Sequence, residues 1–80
     1  MHEMHIIKDV FADLLKIAKE NNAVKVTKVY MKMGVFTEIN EDILRHFFTE
    51  NGKGTCVEGA ELVMESSPAR ELRLVSFDCD

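Results

Sequence analysis

The spacing of apolar residues alternates between two periods along the chain, and that order restricts the fold more than any single residue does. Ile6, Ile7, Val10, Phe11, Leu14, Leu15 and Ala18 recur every three or four residues and make one apolar stripe. Lys8, Asp9, Asp13, Lys16, Lys19 and Glu20 take the other face, and Asn21-Asn22 is a plausible helix stop because Asn tolerates the left-handed conformation. From Val24 to Met33 the period falls to two: Val29, Met31 and Met33 alternate with Lys28, Tyr30 and Lys32. Val24 and Val26 sit on the opposite phase, which predicts a bulge or a late strand start near Thr27. Helical spacing then returns. Asn40 is a good N-cap, Glu41 and Asp42 suit the positive end of a helix dipole, and Ile39 can staple onto Leu44. Ile43, Leu44, Phe47 and Phe48 form the stripe, and Asn51-Gly52 ends it.

After a loop over 52–59, two strands are predicted, Ala60–Ser66 and Arg70–Cys79, about a turn at Ser67-Pro68-Ala69 that holds the only proline. The order helix-strand-helix-strand-strand predicts an α+β fold, with two helices packed on one face of a three-stranded mixed sheet. The short turn predicts that the last two strands pair as an antiparallel hairpin.

Length and charge limit what such a domain does. Eighty residues make a single domain, 1–80. No apolar run approaches the roughly 18 residues of a membrane span, and Lys8, Asp9 and Asp13 interrupt the apolar start that a signal peptide would need. A net charge of −4 argues against nucleic acid as the main partner. Cys56 and Cys79 stand 23 residues apart without a C-x-x-C motif, so they do not make a four-ligand zinc site by themselves. The expectation is two thiols in a reducing cytoplasm. No glycine-rich phosphate loop, G-x-S-x-G or H-E-x-x-H is present, and no nucleophile–base pair is readable, so an enzyme is not expected.

The unusual concentration of donors is at the start, Met1-His2-Glu3-Met4-His5. A terminal amine, the peptide nitrogens of His2 and Glu3, and the His2 imidazole can wrap a divalent ion in a plane of nitrogens, which suits Ni(II) or Cu(II). His5, three residues after His2, can share its face and is a further ligand candidate. The same His2 is also what a solvated residue near a chain terminus looks like, and spacing alone leaves both readings open.

Met1-His2-Glu3 ahead of an amphipathic helix, Val26-Thr27-Lys28-Val29 running into Met33-Gly34, and Asn40-Glu41-Asp42-Ile43-Leu44-Arg45-His46-Phe47-Phe48 resemble the HypA family of nickel metallochaperones for [NiFe]-hydrogenase and urease. Glu58-Gly59-Ala60-Glu61-Leu62 and Arg70-Glu71-Leu72-Arg73-Leu74-Val75-Ser76-Phe77 extend the likeness along the chain. The resemblance implies Ni(II) delivery, with ligand roles falling on Met1, His2 and Glu3. It implies a nickel-handling, HypB-like GTPase as partner and a hydrogenase large subunit or the urease machinery as recipient. It also implies a base domain without the family's zinc ribbon, because Ser66-Ser67-Pro68-Ala69-Arg70 joins the last two strands where that module is usually inserted. No structural zinc is expected. Val35 and Asn40 stand where the family usually has acidic residues, and His5 where it usually has a small polar one. Asn40 and the adjacent Glu41 are therefore weak supporting candidates beside the ligand set. The alternative reading is a metal-free interaction or regulatory module derived from the same family. An exposed sheet edge makes a homodimer conceivable in either case.

Overall fold

The computed structural model describes residues 3–80. Five elements follow one another: α1 (Met4–Glu20), β1 (Val26–Met33), α2 (Glu41–Asn51), β2 (Glu61–Ser66) and β3 (Leu72–Cys79). This is the α+β order predicted from the alternation of periods. The two Asn after α1 act as read from the sequence. Asn22 takes the left-handed conformation at φ 56°, while its N–H reaches Lys19 O and the Ala23 N–H reaches Ala18 O. That pair of bonds closes the helix as a Schellman motif. At the start of α2 the Asn40 side chain accepts from the Ile43 N–H at 2.9 Å, and Ile39 and Leu44 are both buried.

The helices cover one face of the sheet. Ile7, Phe11, Leu14 and Ala18 of α1, Leu44 and Phe48 of α2, Val29 and Met31 of β1 and Leu62 of β2 form one buried cluster. Phe11 meets Phe47 and Phe48 edge-to-face at 5.5 and 5.0 Å and so ties the two helices together.

The sheet order is β2-β1-β3, with β1 parallel to β2 and antiparallel to β3. The predicted hairpin is therefore corrected: β2 and β3 are not neighbours, and β1 lies between them. The reason is burial. Val26, Val29 and Met31 make β1 the strand that is most deeply covered, and a central position pairs its backbone on both sides. α2 supplies the crossover that a parallel β1–β2 pair requires. The connection from β2 to β3 then passes over the end of β1, where the Ser67 N–H donates to Met33 O at 3.1 Å and the Gly34 N–H donates to Glu71 O at 2.8 Å. A Cβ on Gly34 would lie 1.7 Å from Ala69 O, so glycine is required for that crossing.

The phase change in β1 has the predicted cause. The register against β3 shifts between Val26 and Lys28, leaving Thr27 as the extra residue, so Val26 and Val29 both face the core. The strand begins at Val26, while Val24 is 81% exposed. A second shift, between Tyr30 and Met31, leaves Val75 unpaired in β3.

Candidate functional site

Met1 and His2 lie outside the described residues, so the first described member of the donor cluster is Glu3, at the N-cap of α1. Its side chain does not cap its own helix. It is fully buried and reaches the loop between β1 and α2. There its carboxylate accepts from the Thr37 N–H at 3.3 Å, the Thr37 hydroxyl at 3.1 Å and the Glu38 N–H. The fourth donor is the Arg70 guanidinium, from the β2–β3 connection. In return, the Glu3 N–H donates to Glu38 Oε1 at 2.9 Å. Arg70 also lies 5.8 Å from the centroid of the Phe36 ring, a cation–π distance.

Burial alone pushes the Glu3 carboxyl up, but the Glu38 N–H, the Arg70 guanidinium, and the Thr37 N–H and hydroxyl outweigh it. Together they hold it at about 2, below its ordinary 4.5. This carboxylate is therefore ionised, enclosed and saturated with donors. It anchors the main chain at residue 3 and is not an open metal ligand. What Glu3 can offer a metal is its backbone nitrogen, at present a donor to Glu38.

The remaining predicted residues are placed as follows. His5 is exposed on the first turn of α1. The Asn40 amide oxygen is engaged in capping α2, and Glu41 pairs with Arg45 at 2.9 Å on the outer face of that helix. Among the described residues, no three His, Cys, Asp or Glu side chains are grouped so as to hold a metal ion. Cys56 and Cys79 are free thiols on opposite sides of β1: Cys56 O accepts from the Val26 N–H at 2.8 Å, and Cys79 pairs with Val26 from β3. No helix of the described residues is long and apolar enough to cross a membrane.

The sequence reading did not single out Thr37, Glu38 or Arg70. A buried carboxylate next to a helix start demands a cation and several N–H donors, but nothing local indicates that they come from positions 34 to 67 residues away.

Residues 1–73 match the family model described as "Hydrogenase/urease nickel incorporation, metallochaperone, hypA". Among curated proteins, the chain is 35% identical over 79 residues to a hydrogenase maturation factor HypA of Aquifex aeolicus, covering 99% of this chain and 66% of that protein. It is 37% identical over 62 residues to a protein of the same name from Archaeoglobus fulgidus, covering 78% of this chain and 56% of that one. The chain thus spans about half to two thirds of the length of these relatives. The solution structure of the Ni metallochaperone HypA from Helicobacter pylori superposes with a TM-score of 0.77 at 17% identity, over 99% of this chain and 97% of that one, which shows the shared fold.

Proposed function

This chain belongs to the HypA family of hydrogenase/urease nickel-incorporation metallochaperones, and on that footing we propose that it carries Ni(II) on its N-terminal segment during hydrogenase or urease maturation. The ligands are the Met1 amine, the backbone nitrogens of His2 and Glu3, and the His2 imidazole. Four nitrogens in a plane suit Ni(II), and the usual divalent affinity order has Cu(II) binding there at least as tightly in vitro. His5, on the first turn of α1 and three residues after His2 in sequence, is a further ligand candidate. Structural zinc plays no part in this reading, which takes 1–80 as a base domain acting in the cytoplasm.

The observation that carries the reading is the anchoring of Glu3. A loose terminus would lose conformational entropy on wrapping an ion. Here the third residue is already fixed from two distant loops, by Thr37-Glu38 and by Arg70. Fixing Glu3 in this way sets the position of one of the proposed ligand nitrogens. The Glu3 nitrogen becomes a ligand by losing its proton, so coordination also ends its hydrogen bond to Glu38 Oε1. Because bound amide nitrogens must be deprotonated, acidification returns the protons and releases the ion. That gives a carrier a simple means of letting go.

The partners under this proposal are a HypB-like GTPase and a hydrogenase large subunit or the urease machinery. A Ni(II) titration of the unmodified chain and of His2→Ala, followed by absorption, tests the site. The planar low-spin band is expected in the first and lost in the second. Equal, tight binding by His2→Ala would place the metal elsewhere. Absence of micromolar binding by the unmodified chain, with capture of the GTPase retained, would instead support a metal-free interaction module.

A further inference from the structure

The N–H of Glu3 has a partner that the helix itself does not demand. At an N-cap this donor usually meets water or a carboxylate one turn further along the same helix. Here it donates at 2.9 Å to Glu38 Oε1, 35 positions away in the β1–α2 loop. The Glu38 backbone N–H donates in the other direction, to the Glu3 carboxylate. The two residues thus clasp each other twice, and the two bonds are separable. The one that holds the Glu3 carboxylate comes from the Glu38 main chain, is backed by Thr37 and Arg70, and does not depend on the Glu38 side chain. The Glu38 carboxylate acts on the Glu3 nitrogen.

A peptide nitrogen binds a metal ion only after losing its proton, and its lone pair then points where the proton was. That direction lies in the peptide plane. Glu38 Oε1 therefore stands on the side of the Glu3 nitrogen from which an ion would bind, near the plane of the four nitrogens. It does not stand above or below that plane. A metal–nitrogen bond is about 2 Å long, so the ion would fall well inside the 2.9 Å between the nitrogen and Oε1. The two cannot share that space. Charge does not keep the carboxylate there either. Two deprotonated peptide nitrogens offset the charge of Ni(II), so the filled site offers it no net attraction. The empty site offers a charge-assisted hydrogen bond.

On the footing that the Glu3 nitrogen is a nickel ligand, we propose that the Glu38 side chain plugs that ligand position in the empty chain and competes with Ni(II) for it. On loading, the N–H bond of Glu3 breaks, its proton passes to solvent, and the nitrogen lone pair takes the ion. Glu38 Oε1 then exchanges the N–H for water, which it can do because Glu38 is exposed. On release the nitrogen regains a proton from solvent and the carboxylate returns to it. The plug holds affinity below what the four nitrogens alone would give. For a carrier this eases the handing on of its ion.

Ni(II) absorption titrations against a competing chelator test this on the unmodified chain, Glu38→Ala and Glu38→Gln, all with a free Met1 amine and with circular dichroism melts to establish folding. The planar low-spin band is expected in all three. Glu38→Ala, which keeps the backbone bond to the Glu3 carboxylate, is expected to bind at least about tenfold more tightly and to lose nickel to the chelator more slowly. Glu38→Gln, whose neutral oxygen still accepts, is expected to fall between, and it decides the question if Glu38→Ala does not fold. A merely structural part for Glu38 would weaken binding on its removal. Equal or weaker binding by the folded variants, with the planar band kept in the unmodified chain, would overturn the plug and leave nickel carriage at the N-terminus standing. Absence of the band from all three would overturn both.

Discussion

The Glu3 carboxylate and the Arg70 guanidinium, 67 residues apart in the chain, meet beside the start of α1. The contact joins the N-terminal segment to the connection between β2 and β3. It is asymmetric, with Glu3 fully enclosed and the Arg70 side chain 54% exposed. Most of the energetic consequence therefore lies on the Glu3 side, where removal of the carboxylate strands buried N–H donors. Glu3→Ala is expected to lower the melting temperature by on the order of 10 °C, as for loss of a buried network in a domain of this size. Arg70→Gln is expected to cost less, because the Thr37 and Glu38 donors still hold the enclosed carboxylate. Paired thermal melts check the order.

The same network predicts an acid dependence. The folded chain holds the Glu3 carboxyl at about 2, whereas the unfolded chain holds it at its ordinary 4.5, so the unfolded state takes up the proton first as pH falls. The contribution is full above about pH 5 and is lost progressively toward pH 2. Denaturant melts across that window should show stability declining with acid. In Glu3→Gln, which has no proton to gain at this site, the decline should be shallower. Equal slopes would mean that Glu3 is not the group responsible.

Gly34 marks where β1 stops and the β2–β3 connection crosses. Because an added methyl would overlap Ala69 O, Gly34→Ala is expected to destabilise by about 3 kcal/mol, measured by urea unfolding. Gly54 makes the useful control. It has φ +79° but open space around it, so Gly54→Ala should cost only about 1 kcal/mol of backbone strain.

Asn40 separates a capping role from a metal role. Its amide oxygen holds the Ile43 N–H, so Asn40→Ala should cost about 1 kcal/mol of stability. If the nitrogens of residues 1–3 are the ligands, Ni(II) affinity measured by titration calorimetry should remain unchanged in that variant. A large loss of affinity would bring Asn40 into the site.

Much of the fold was legible because its signals are local. The apolar period named each element, Asn22 and Asn40 marked helix ends, and the phase change at Val26 gave the bulge at Thr27. Strand order was not legible, because the turn at 67–69 reads as a hairpin until the burial of β1 is known. That burial puts β1 at the centre and sends the connection across its end. The donor cluster at 1–5 was readable as chemistry, but the anchor beneath it was not. Thr37, Glu38 and Arg70 carry no spacing relative to Glu3, and folding alone brings them together.

The most direct test of nickel carriage at the N-terminus alters no side chain. Ni(II) absorption titrations should be run on the chain with a free Met1 amine and on the same chain with Gly-Ser placed before Met1. A planar low-spin nickel spectrum and tight binding are expected in the first, and loss of both in the second, because the extension removes the terminal amine from its chelate position. Persistence of the same spectrum and affinity in the extended chain would contradict it.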